Sequence, residues 1–439
     1  MRVHTKLLSA VLALSLTASL AGCGSKEGAS SSASSSSNSS ASSASSSSQT
    51  TQVEAMDLTG VTDPCLATLG IPGDTVIATV GEYEVTADSL AYWLNYNITY
   101  ILQQYSMFGV SEIPWDSDAG DGGTQEESIR NVALRLAASY RLIPEIGAKE
   151  GLSLASDIDA MLDADFTSLE EQLGSKETVE HYFWLNMSGT KLFRELYRSA
   201  EMSNLLQEKY FGEGSQGYPT DAEVLAYAQE ELGMYRAKHI LLKTVDTTQT
   251  VEKEDGTMGY APLDEATIEK QWAKAEDLLA QLKAADDPVS LFDTLMKENS
   301  EDEGLAGNPD GYTTSKGEMV PAFEEAALAL KDGEFSDIVE SEYGLHIILR
   351  LPLDPADYRS ELVAKKMEQQ RETWLDEYGI QTTQAYEQVD PSDFWDKALS
   401  LEMAAYQEIQ AIQEQLQAQE DTSGTTSSAA GSVSSQASN

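Results

Sequence analysis

Apolar and polar residues alternate through "TVIATVGEYEV" (residues 75–85), a period of two that predicts a short hairpin turning at Gly81-Glu82. The period then lengthens to that of a helix, with Thr86 in the N-cap position and Leu90, Trp93, Leu94 and Ile101 on one face. Thr124 and Glu127 form a capping box that opens a second helix, with Ile129, Val132, Leu136, Tyr140 and Ile143 on one face. Pro144 is expected to bend or end it. Further amphipathic helices are predicted over residues 155–173, 176–186 and 190–210. A second capping box, Thr220 and Glu223, starts one that finishes by Gly233.

The texture changes at Met234. β-like runs cover residues 235–242, 335–340 and 344–351, and helices cover 263–283, 288–299 (opened by Pro288) and 320–331. A turn-rich stretch separates the second helix from the third. Beyond Pro352 and Pro355 the helical period returns over 357–378 and 391–420. Leu362, Met367, Trp374, Phe394, Leu399 and Met403 recur there at spacings that require burial, so this segment is expected to fold back onto the first helical region. The fold class is α+β: a helical region with an inserted α/β domain built on a small antiparallel sheet with surrounding helices.

Composition fixes the surroundings. The hydrophobic share of 41% is ample for buried cores, and 73 acidic against 28 basic residues give a formal charge of −45. Nucleic acid is excluded as a partner, because counterion release needs a basic footprint. At the N-terminus, Arg2 and Lys6 precede an apolar run from Leu7 to Leu20, too short to span a bilayer stably. Leu20-Ala21-Gly22-Cys23 then resembles the bacterial lipobox, which implies a signal peptide over residues 1–22 and lipidation of Cys23. Residues 28–51 are almost all serine and alanine and cannot bury enough apolar surface to order themselves, so residues 23–69 read as a disordered tether. Its mean reach is roughly 35–40 Å by random-coil scaling. Residues 421–439 read as a disordered tail. With Cys23 lipidated, Cys65 is the remaining thiol and no intrachain disulfide forms; it reads as a small apolar residue ahead of the folded part. The domains are therefore 70–233 helical, 234–352 α/β and 353–420 helical.

Candidate chemistry is sparse. Asp116, Asp118 and Asp121 sit in the acidic "WDSDAGDGG" loop, but no Glu follows at the twelfth position of a calcium loop, so no metal is assigned. His181 lies among Phe183 and Trp184 on a helix and reads as packing. That leaves "YRAKHILLK" (235–243) and its echo "YGLHIILRL" (343–351), which hold two of the four histidines. On strands, Tyr235, Ala237, His239 and Leu241 share a face, as do Gly344, His346 and Ile348, so neighbouring strands would set the two imidazoles side by side. Taken alone, they read as buried residues satisfied by hydrogen bonds.

Within a wider frame they read differently. "YRAKHIL", "FDTLMKENSEDEG" (292–304), "SKGEMVPAFEEAALALKDGEFSDIV" (315–339) and "EYGLHIILRL" (342–351) together resemble the parvulin-type peptidyl-prolyl isomerases. The resemblance implies a site formed by His239, Asp302 and His346, a proline socket formed by Met319 and Phe323, and a hydroxyl at Ser341 supporting the histidine pair. Rotation about an X–Pro bond crosses a resonance barrier of roughly 18–20 kcal/mol and needs no cofactor, nucleophile or metal. It needs an apolar seat for the ring, a dehydrated carbonyl and polar groups that favour the twisted amide. The histidines would be neutral and mutually hydrogen-bonded. Asp302 would act as base, nucleophile or fixed negative charge, covalent attack being the least favoured.

Two departures stand out. The family's G-G-D-L-G-W/F stretch is replaced by "GNPDGYTT" (307–314), where Gly311 stands at an apolar pocket position and Tyr312 substitutes. Residues 244–262 form an acidic insertion without the basic cluster that reads phosphoserine-proline, so phosphate specificity is not expected. The order of parts also resembles the extracytoplasmic foldases of the PrsA and SurA kind, lipid-anchored on the outer face of a bacterial cytoplasmic membrane and acting on unfolded exported proteins containing proline. The alternative is a non-enzymatic holdase with a degenerate parvulin module. A solute-binding lipoprotein would need two α/β lobes, and the sequence has one.

Overall fold

The computed structural model describes residues 53–120, 122–253 and 256–429. Cys23, the signal segment and the serine-rich stretch lie outside the described residues. The chain divides into two compact units: Met1–Gly217 with Ala364–Asn439, and Tyr218–Val363.

In the first unit, order begins earlier than Gly70. Met56 N–H bonds the carbonyl of Ser400, and Asp63 caps helix α1 (Pro64–Leu69) by accepting from Leu66 N–H. Cys65 is buried in the core. The tether reading overran here because a few apolar residues and one Asp-Pro cap adjoin low-complexity sequence. Strand β1 (Val76–Val80) pairs antiparallel with β2 (Tyr83–Thr86) across Gly81 and Glu82, as expected. Helix α2 (Ala87–Ser106) follows, although Thr86 does not cap it by accepting an amide; its hydroxyl donates to Asp88 Oδ1 at 2.5 Å.

The Thr124–Glu127 capping box opens α3 (Gln125–Lys149). Pro144 does not end this helix, which continues to Lys149. A helical proline orphans the carbonyl four residues back. Here that carbonyl belongs to Tyr140, and it accepts a 2.8 Å hydrogen bond from Ser199 Oγ on a neighbouring helix. Helices α4 (Ile158–Leu173), α5 (Lys176–Trp184) and α6 (Thr190–Phe211) complete the segment. His181 is buried, with Nδ1 2.5 Å from Glu408 Oε2 and its ring against Trp184, which is the packing role the sequence indicates.

The second unit starts with the other capping box and α7 (Asp221–Ala226), so it takes in a helix that the sequence assigns to the preceding region. Val224 and Tyr227 pack there against Leu353, Tyr358 and Leu362. Strand β3 (Met234–Lys243) is central. Beyond it the acidic insertion, to which the sequence assigns no element, forms a hairpin of β4 (Val245–Glu252) and β5 (Met258–Pro262). Its strands lack a buried apolar alternation, which is why periodicity passes over them. Helices α8 (Glu265–Ala284) and α9 (Pro288–Asn299) come next. Strand β6 (Tyr312–Ser315) falls in the stretch read as turns, followed by α10 (Pro321–Ala329), β7 (Val339–Ser341) and β8 (Gly344–Leu351). Strand β7 is shorter than the predicted 335–340 run, Phe335 making only an isolated bridge to Leu349.

The sheet order is β6-β3-β8-β7, antiparallel throughout. Strands β3 and β8 are buried along nearly their whole length, so side chains alternate between two covered faces. Ile240, Leu242, Leu345, Ile347 and Leu349 pack on α8 and α9. Tyr235, Ala237 and Ile348 pack on Phe323 and Ala327 of α10. His239 and His346 occur in the register of this second face.

The chain continues through α11 (Arg359–Tyr378), β9 (Ile380–Thr382) and α12 (Pro391–Ala429). Strand β9 adds to β1, making the sheet β2-β1-β9, and Met367, Trp374, Phe394 and Leu401 join the core of α2, α3 and α6. The predicted return of the C-terminal helices is therefore realised within the first unit. Three of its named positions differ. Leu362 is buried in the second unit, Leu399 is half-buried, and Met403 is exposed because Leu401, Ala404 and Ala405 turn inward instead. Helix α12 also runs past Glu420, where the tail was expected, since extending an existing helix needs no new nucleus.

Candidate active site

Strand register determines how the two histidines meet. His239 lies opposite Ile348 and His346 opposite Leu241, so the pair is diagonal across β3 and β8 rather than directly opposed. The rings stack at 11° with centroids 5.2 Å apart, and the two Nδ1 atoms are 2.9 Å apart. The close approach of the strands depends on Gly344 (φ +143°), where a Cβ would meet the Leu242 carbonyl at 2.2 Å.

Hydrogen bonds extend the pair on both sides. His239 Nε2 is 3.0 Å from Asp302 Oδ2, which also accepts from the Tyr312 hydroxyl at 2.5 Å. His346 Nε2 is 2.7 Å from Ser341 Oγ, and Ser341 Oγ accepts from Tyr343 N–H. Asp302 is positioned by a turn in which its Oδ1 accepts from Gly304 N–H, while Ser300 Oγ accepts from Leu241 N–H on β3.

Charge and tautomer follow from these contacts. Burial opposes ionisation of Asp302, yet bonds from His239 and Tyr312 hold its carboxyl down to about 2. An ionised carboxylate only accepts, so His239 Nε2 donates to it. Burial, with His239 alongside, pushes the His346 imidazole down to about 3. Ser341 has one proton, and His346 Nε2 is the acceptor in reach. His346 Nδ1–H then donates to His239 Nδ1. The result is a directed chain from Ser341 through His346 and His239 to Asp302. Burial, then the bond to Asp302, raises the Tyr312 phenol and keeps its proton in place.

Beside this chain is a cavity of about 500 Å³ that the histidines, Asp302, Tyr312, Met319 and Phe323 help to line. Phe323, buried on α10, stands edge-on to both imidazoles, with centroids 5.2 and 5.6 Å away. The structure thus brings together every residue the sequence singled out within the domain. Tyr312 does so by its hydroxyl as much as by its ring, and the altered segment keeps the polar wall intact. Gly311 (φ +97°) lies where a Cβ would meet the Ala237 carbonyl at 2.8 Å, so an apolar side chain at this position has no room.

Sequence reading missed five contributors: Ser300, Tyr260, Tyr343, Glu303 and Glu318. Tyr343 occurs in the quoted echo and Ser300 begins the turn containing Asp302, so both carried a signal. Tyr260 comes from the unforeseen hairpin, its ring 5.5 Å from that of Tyr343. Among the described residues no cluster of three or more metal-ligating side chains occurs, and no helix is long and apolar enough to cross a membrane.

Residues 239–351 match the Rotamase family, described as the PPIC-type PPIASE domain. With the sheet and histidine pair above, they constitute a parvulin-type domain. Over 118 residues the chain is 36% identical to the peptidyl-prolyl cis-trans isomerase ESS1 of Saccharomyces cerevisiae, covering 26% of this chain and 64% of that one. A longer match reaches the foldase protein PrsA of Geobacillus kaustophilus, 31% identical over 191 residues, 43% of this chain and 53% of that one. The chain thus spans a little over half to under two thirds the length of these curated relatives. The crystal structure of PrsA from Bacillus subtilis aligns over 61% of this chain and 90% of that one, at 22% identity and a TM-score of 0.19. The chain thus carries a PPIC-type domain and is similar over part of its length to the PrsA foldases.

Proposed function

We propose that this protein is a foldase that catalyses cis–trans isomerisation of X–Pro bonds in exported proteins, anchored through lipidated Cys23 to the outer face of a bacterial cytoplasmic membrane. The carrying observation is the His239–His346 pair, fixed between Asp302 and Ser341 at the edge of the cavity that Met319 and Phe323 help to line.

Met319 and Phe323 seat the pyrrolidine ring and exclude water from the amide, where resonance weakens as the carbonyl is desolvated. The rigid polar chain supplies a fixed field that costs no reorganisation as the amide twists. No bond to the protein forms, so Asp302 serves as a fixed charge. Its carboxylate already has three hydrogen-bond donors, a poor state for a nucleophile.

The test is exchange of a non-phosphorylated X–Pro peptide measured with the full chain. Acceleration that falls on His239→Ala or Met319→Ala supports the reading, and rates equal to the uncatalysed one reject it. A holdase role is motivated by the first unit, where Met107 and Phe108 are 68% and 82% exposed. Suppression of client aggregation that survives His239→Ala and is lost in Phe108→Ser would assign that role to the helical part.

A further inference from the structure

The cavity beside the histidines has a charged and aromatic rim that proline alone does not require. Three carboxylates line it (Asp302, Glu303 and Glu318) against one ammonium, Lys243. That ammonium is already engaged, 2.6 Å from Glu303 Oε1 and 3.3 Å from Thr247 Oγ1. Glu318 is held in place by Thr314 Oγ1–H at 2.6 Å and Ser315 N–H at 2.9 Å. Tyr260 and Tyr343 line the same cavity as a tilted pair, Tyr260 supplied by the hairpin insertion. Carboxylates next to tyrosine rings favour an alkylammonium or guanidinium group, through charge and through the ring quadrupole. A phosphate or carboxylate placed there meets net negative charge and no free cation.

We infer that the site selects X–Pro segments with lysine or arginine flanking the proline and discriminates against acidic or phosphorylated residues there, with Glu303, Glu318 and the Tyr260–Tyr343 pair as the specificity determinants. The inference rests on the X–Pro reading of the cavity and adds the identity of the neighbouring side chain. The insertion contributes Tyr260 to this rim, while the carboxylates come from outside it.

The test uses the full chain and two series of short peptides with Lys, Ala or Glu immediately before or immediately after proline. Both binding and exchange rate are measured. In at least one series the lysine peptide should bind about three- to tenfold more tightly than the alanine peptide, with the glutamate peptide weakest. The gap should shrink at about 0.5 M salt and in Glu303→Gln, an exposed change, as well as in Glu318→Gln, which keeps an acceptor for Ser315. Equal or reversed affinities in both series with exchange still accelerated overturn the inference alone. The predicted order of binding without acceleration overturns the isomerase reading alone. No binding by any peptide overturns both.

Discussion

Only one proton fits between His239 Nδ1 and His346 Nδ1, which lie 2.9 Å apart. Its ownership is decided at the ends of the chain, by a carboxylate that cannot donate and a serine that must. In ¹⁵N spectra near neutral pH, His239 should appear as the Nε2–H tautomer and His346 as the Nδ1–H tautomer. The reverse assignment of either ring would refute the directed chain.

The buried His346 carries a pH signature. Its folded value, pushed down to about 3, lies below the ordinary value of 6.5. The neutral ring therefore contributes stability that is full above about 6.5 and declines as pH falls toward 3, by at most roughly 1.4 kcal/mol per unit of pH. Denaturation of His346→Gln, followed between pH 7 and 4, should show a flatter decline than the native chain.

Tyr312→Phe removes a donor to an ionised carboxylate while keeping the ring. A loss of about 1.5–3 kcal/mol is typical of such a bond. The Asp302 carboxyl should titrate higher, and the exchange rate at neutral pH should fall by about three- to tenfold. An unchanged rate with an intact fold would show that Asp302 needs only His239.

Phe323 and Met319 share the socket but not the same structural duty. Phe323 is 3% exposed, so Phe323→Ala should cost about 3–5 kcal/mol and obscure any kinetic reading. Met319 is only partly buried, so Met319→Ala should raise KM for an X–Pro peptide at a smaller stability cost. Denaturant midpoints and steady-state exchange on the two variants separate these outcomes.

Glu402 on α12 provides a test in the first unit. Burial raises its carboxyl to about 8, opposed by a bond with Asn95, and both Glu402 Oε1 and Asn95 Oδ1 lack a partner. A protonated acid carries no buried charge and can serve as a donor there. Because the folded value is raised, stability is full below about 4.5 and declines as pH rises toward 8. Glu402→Gln supplies a permanent donor, and should be more stable than the native chain at pH 8 and nearly equal to it at pH 5.

Much of this was legible in the sequence because it was written locally. Both capping boxes, the Gly81-Glu82 turn and the proline start of α9 form as read, since each depends on residues within one turn of the chain. The histidine pair, Asp302, Ser341, Met319 and Phe323 were found because a family's motif carries long-range contacts that periodicity does not. What escaped was settled by distant partners. The Tyr140 carbonyl left free by Pro144 is met by Ser199, Cys65 is ordered by a core assembled from the other end of the chain, and Tyr260 matters through Tyr343. Strands β4 and β5 bury too little to mark themselves.

Strand β9 has a consequence for the order of assembly. Ala78 pairs with Thr382 and Val80 with Ile380, a separation of about three hundred residues, whereas every strand of the histidine-bearing sheet pairs within its own unit. Closing so long a loop delays the pairing relative to short-range ones. A chain emerging N-terminus first can complete the parvulin domain while the sheet around β1 still waits for its third strand. The domain made in the middle can be finished first, and the sheet of the first unit is completed last.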